Sequence, residues 1–151
     1  MKKLLTAALF GIAAAAAIPA AAYAADPVST GRFNNLAVGG YDTVSLFEND
    51  GDGVEGSDAF TTTYNGAEWR FASAENLAKF EEDPEQYAPA YGGYCAWAMA
   101  NGNLAYGNPK NANVVGGVLY LNYNNSIEKR WLKDPEGFIE KADDQWPSVL
   151  N

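Results

Sequence analysis

Hydrophobic and polar positions alternate in short blocks, each closed by Gly, Pro, Asn or Asp. Tyr41 to Phe47 reads as a short strand, with Val44 and Leu46 on one face. An acidic, glycine-rich loop follows from Glu48 to Asp58. Thr61 to Tyr64 and Ala67 to Phe71 flank Asn65-Gly66, a pair that accepts the positive φ angles of a type I′ turn, and predict a β-hairpin. Ser73 is the N-cap of a helix carrying Leu77, Ala78 and Phe80 on one face, and Asp83-Pro84 ends it and opens one more turn through Tyr87.

The bend Tyr91-Gly92-Gly93-Tyr94 leads into Cys95 to Ala100, small or apolar throughout, which predicts a short buried helix closed by Asn101-Gly102. Val114-Val115, Gly116-Gly117 and Val118 to Tyr123 predict a second hairpin. Ser126 is read as the cap of a helix bearing Ile127 and Trp131. Asp134 caps a last one, with Phe138, Ala142 and Trp146 at four-residue steps before Pro147. No internal repeat is evident beyond the first two dozen residues. The expected fold is α+β: a small single domain of two β-hairpins with short packed helices.

Three segments follow: residues 1–24, a polar leader over 25–38, and a domain over 39–151. Lys2 and Lys3, the alanine-rich run from Leu4 to Ile18, and Ala22 and Ala24 before the break form the pattern of a signal peptide. The expected location is periplasmic or secreted, with no stable membrane insertion after cleavage. No cysteine stands near the break to carry a lipid, and no Arg-Arg pair precedes the run, so export of an unfolded chain is expected. The net charge of −9 becomes two units more negative without Lys2 and Lys3. That field repels nucleic acid and anionic membranes, and attracts cations or a basic protein partner.

Composition narrows the chemistry. With no histidine there is no imidazole base and no His-based metal site, and a single cysteine excludes an internal disulfide or a Cys-rich zinc site. No catalytic residue is assigned. Cys95 and Met99, four residues apart on one helix face, are candidate ligands for a copper-type metal ion, and equally suit core packing. Cys95 is also a candidate redox thiol, if exposed and ionised. Tyr91, Tyr94, Trp97 and Tyr106, together with Asp42, are candidates to bind a small ligand. Asp42, after its Gly-Gly turn, is read either as a buried carboxylate paired with Arg70 or Lys133, or as a cap for nearby amides. The Glu48–Asp58 loop imitates the start of a calcium loop but has Ala59 where the bidentate glutamate belongs.

Several stretches together resemble an exported member of the YHS-domain family. They are Gly39-Gly40-Tyr41-Asp42, Trp69 to Asn76, Phe80 to Pro89, Tyr91 to Ala96, Leu119 to Tyr123 and Lys141 to Pro147. The resemblance implies a hairpin feeding a helix and, for many members, metal handling. Metal-associated members carry Phe-Cys-Ser-x-x-Cys at the hairpin–helix junction; here the matching positions are Ala72 and Asn76, so the cysteine site does not carry over. What the resemblance leaves is a non-catalytic binding or accessory module for a metal ion or small ligand. A thiol-based redox or stress protein using Cys95 and an acidic interaction module are the alternatives.

Overall fold

Asn65 and Gly66 both take positive φ (48° and 80°) in the computed structural model, which describes residues 25–151. They join β1 (Ser57–Tyr64) to β2 (Ala67–Phe71) as an antiparallel hairpin. Gly116 and Gly117 do the same for β3 (Asn108–Val115) and β4 (Val118–Asn122). Each hairpin feeds helices: α2 (Ala74–Glu82) and α3 (Pro84–Tyr87) after the first, α5 (Asn125–Trp131) and α6 (Pro135–Gln145) after the second. The expected α+β architecture of two hairpins and short helices is what the chain adopts. The signal-peptide reading lies outside the described residues. Among those residues no helix is long and apolar enough to cross a membrane.

The predicted strand at Tyr41 to Phe47 is instead a helix, α1 (Thr43–Glu48). Over six residues the apolar pattern cannot separate the two periods, because Thr43, Val44, Ser45 and Leu46 are all buried. Capping decides the outcome: Asp42 Oδ1 accepts from Ser45 N–H at 3.0 Å. Its counterpart α4 (Ala96–Ala100) follows the expectation of a short buried helix. The cap of α5 is Asn124, which accepts from Ile127 N–H at 3.0 Å, rather than Ser126.

The chain contains an internal repeat after all. A 3₁₀ turn, a short helix, a hairpin and two helices occur twice in the same order. The hairpin registers superpose: Ser57↔Phe71 and Tyr64↔Ala67 match Asn108↔Asn122 and Val115↔Val118, and both first strands bulge at the same place. The bridge Tyr41↔Glu55 has its twin in Tyr94↔Tyr106. The turns before the short helices share three consecutive left-handed residues, Val38-Gly39-Gly40 (φ 52°, 61°, 82°) and Tyr91-Gly92-Gly93 (φ 56°, 60°, 83°). Asp83-Pro84 and Asp134-Pro135 open equivalent helices, each aspartate capping by its own side chain.

The two halves are interlocked through β4. Because strand side chains alternate between faces, Leu119 and Leu121 enter one core with Trp69, Phe71, Phe80, Val44 and Leu46. Tyr120 enters a second core with Trp131, Met99, Tyr91 and Ala142. The leader joins both halves: Ser29 N–H donates to Gly92 O, Ala37 N–H to Glu68 O, and Ala25 N–H to Leu150 O, each at 2.9 Å. Gly92 is required at that crossing, since a Cβ there would run into the Pro27 carbonyl.

Candidate functional site

Asp42 is wholly buried and ties the start of α1 to the junction between β2 and α2. Oδ1 accepts from Ser45 N–H at 3.0 Å, and Oδ2 accepts from Ala72 N–H and Asn76 Nδ2 at 2.8 Å each. The carboxylate oxygens are therefore satisfied by N–H groups, as in the capping reading. Arg70 is engaged elsewhere, on Glu68 at 2.8 Å, and Lys133 is exposed. Ala72 and Asn76 stand at the junction of the first hairpin with α2. In this chain both serve Asp42 as donors, so the junction is an amide–carboxylate knot.

Cys95 stands in the second repeat where Asp42 stands in the first. Each follows a Gly-Gly-Tyr turn and is the N-cap of the short helix. The amides correspond as well: Asp42 N–H donates to Val54 O and Cys95 N–H to Ala105 O, at 2.9 and 2.8 Å. The sulfur is buried, and its thiol points to Asn122 Oδ1 at 3.8 Å. The amides of Ala98, Tyr123 and Trp97 lie near enough to favour the thiolate, though none makes a capping bond of ordinary geometry. Burial outweighs them and pushes the thiol up from its ordinary value.

The groups around the sulfur are backbone amides and the Asn122 side chain, whose Oδ1 faces the thiol. Cys95 and Met99 are both buried, but the groups facing the sulfur are N–H donors and an amide. Among the described residues no group of three or more Cys, Asp or Glu side chains converges on one point, at Cys95 or at the Glu48–Asp58 loop. In that loop Asp50, Asp52 and Asp58 are exposed, and Glu48 pairs with Lys79 at 2.9 Å. Among the described residues Cys95 and Met99 are the only sulfur side chains, and no cluster of three Cys, Asp or Glu side chains includes Cys95.

The four aromatic candidates have different surroundings. Tyr94 is buried and its hydroxyl donates to Asp26 O at 2.9 Å, while Trp97 is half-buried and Tyr106 is exposed. Tyr91 is buried and its hydroxyl donates to Asp143 Oδ1 at 2.8 Å. Desolvation, and then the Asp143 carboxylate, push that phenol well above its ordinary value. Tyr91 and Tyr94 both approach Trp146, with ring centroids 6.2 and 6.5 Å apart.

Tyr91 also lines a cleft of about 300 Å³ at the seam of the two repeats. Tyr64 and Trp69 come from the first half, Val118 and Trp146 from the second, and Pro27 and Val28 from the leader. Glu85 supplies a carboxylate at the rim. Tyr64 and Trp69 are legible in the sequence only as flanks of a hairpin, and Trp146 only as a helix-face position, because nothing in their spacing announces that the first hairpin, the end of α6 and the leader meet.

No curated protein and no solved structure matches the chain. Residues 49–91, which span the first hairpin and its two following helices, match the family model of the YHS domain and are similar to that domain.

Proposed function

We propose that the protein is an exported, non-catalytic binding module whose ligand seat is the seam cleft. The observation that carries this reading is the convergence of rings from both repeats, with the leader, around a concave space of about 300 Å³. That size is the lower end for a small-molecule site. Tyr64 and Trp146 offer partly exposed ring surface above the buried Trp69 and Tyr91, and Glu85 adds one negative charge. A small aromatic molecule with a basic group matches this lining, its ring on the tyrosine and tryptophan faces and its cation toward Glu85. The role would be equilibrium binding, with no bond made or broken.

The test uses tyramine and indole as probes, by crystal soaking and by tryptophan fluorescence titration. Native mass spectrometry with Cu(I), Zn(II) and Ca(II) tests the metal-binding form of the same module. Tyramine is expected in the cleft, with affinity reduced at least tenfold by Glu85→Gln. An empty cleft together with no retained metal ion removes the binding-module reading.

A further inference from the structure

The repeat sets a sulfur in the second half at the place where the first half holds a carboxylate. In the first half, Asp42 puts a carbon at Cγ and two oxygens beyond it, which take Ser45 N–H, Ala72 N–H and Asn76 Nδ2. In the second half, Sγ of Cys95 takes the place of Cγ and nothing takes the place of the oxygens. The equivalent amides, Ala98 and Tyr123, are present but make no capping bond of ordinary geometry to the sulfur. A third donor is present too. Asn122 is fully buried against Cys95 and its Nδ2 has no hydrogen-bond partner, a costly condition for a buried amide. Its Oδ1 meanwhile accepts from Trp97 N–H at 3.3 Å.

We propose that Cys95 is a site of oxidation by a hydroperoxide, and that its sulfinate occupies the second-repeat seat as the Asp42 carboxylate occupies the first. The chemistry takes two equivalents. Sulfur attacks the outer peroxide oxygen, the O–O bond breaks, and the thiol becomes a sulfenic acid. The displaced oxygen leaves as water or alcohol, taking up the thiol proton. A second hydroperoxide repeats the step at the sulfenate and leaves the sulfinate, each step oxidising sulfur and reducing peroxide by two electrons. The two new oxygens then meet the Ala98 and Tyr123 amides. Half a turn of the Asn122 amide presents Nδ2 to them and frees Trp97 N–H to join. Because the thiol is buried and held protonated, the reaction is a slow modification rather than turnover. It does not depend on the seam cleft.

The folded protein is treated with hydrogen peroxide and mapped by peptide mass spectrometry, with the melting temperature measured before and after. Addition of two oxygen atoms at Cys95 is expected, with a melting temperature equal to or above that of the reduced protein. No oxidation of Cys95 without unfolding overturns the proposal, and so does a lower melting temperature once Cys95 is oxidised. Cys95→Asp is a second, independent arm. It is expected to fold and melt within a few degrees of Cys95→Ser, and to lose that standing when Asn122→Leu is added. A Cys95→Asp chain that fails to fold while Cys95→Ser folds shows that the seat rejects an anion and also overturns the proposal.

Discussion

The two repeats share a backbone and differ in what they put into it. Trp69 packs against Phe80 at 5.0 Å in the first half, and Tyr120 against Trp131 at 5.5 Å in the second, so the bulky rings exchange places. Phe60 and Leu77 pack apolar against the first core. Their counterparts Asn111 and Glu128 are polar, and Asn111 Nδ2 donates to Glu128 Oε2 at 2.9 Å while Asn113 Nδ2 donates to Oε1 at 2.7 Å. The largest contrast is Asp42 against Cys95, a carboxylate with three donors against a sulfur with none of ordinary geometry. One scaffold thus tolerates exchange of charge and volume while the left-handed turns, the caps and the hairpin registers stay the same. Backbone conformation and filled volume hold a fold, and chemistry is free to vary within them.

Substitution at the paired positions tests how far the halves have diverged. The largest effect is expected from Asp42→Ala, which leaves three N–H groups without an acceptor in a closed interior and should cost about 3 kcal/mol or more. Urea unfolding measures it. The matching Cys95→Ala, which removes one buried sulfur, should cost roughly 1 kcal/mol. Equal losses would mean that the two seats are energetically alike.

A smaller difference separates the twin turns. Gly92→Ala meets both a left-handed φ and the Pro27 carbonyl, and should lose about 2 kcal/mol or more. Gly39→Ala has the same φ but its nearest side-chain atom lies 3.9 Å away, so about 1 kcal/mol is expected. Thermal melts of the two variants give the comparison. If Gly39→Ala proves the more harmful, the leader does not press on the second turn as the structure has it.

The smallest effect concerns Tyr91, whose counterpart Val38 has no polar group. Tyr91→Phe loses one hydrogen bond to Asp143 and should cost about 1 kcal/mol at neutral pH. The pH dependence has a definite sign. The phenol lies above its ordinary value in the folded state, chiefly through burial and then through Asp143. Its contribution is therefore complete below about pH 10 and is lost as pH rises beyond that. Melting curves between about pH 8 and pH 11 should fall less steeply for Tyr91→Phe than for the parent chain. Parallel curves would assign the alkaline loss to Tyr94 and Tyr120, whose phenols are also pushed up by burial.

The local signals were dependable wherever the chemistry needed only neighbours in sequence. Asn65-Gly66 and Gly116-Gly117 specified their turns through the φ angles they permit, and Ser73, Asp83 and Asp134 specified helix starts through their own side chains. Six residues from Thr43 to Glu48 were too few to separate helix from strand when all of the first four were buried, and a cap had to decide.

The candidate site divides in the same way. Asp42, Tyr91 and Cys95 were singled out from residue type and setting. Their partners Ala72, Asn76, Asn122 and Asp143 lie far along the chain and carry no mark of the pairing. The repeat is carried mainly by dihedral angles and register, and its shared residues are confined to short motifs such as Gly-Gly-Tyr before Asp42 and Cys95 and Asp-Pro-Glu at Asp83 and Asp134.

Amino-acid order by itself determined the turns, most caps and the exclusion of histidine chemistry, since each depends on residue type or on atoms a few bonds apart. Tertiary structure alone decided that one hairpin strand would serve two cores, that aromatic rings from three segments would frame a cleft, and that a sulfur would stand in an oxyanion's place. Those outcomes depend on which distant surfaces exclude water together, a property of the packed chain as a whole.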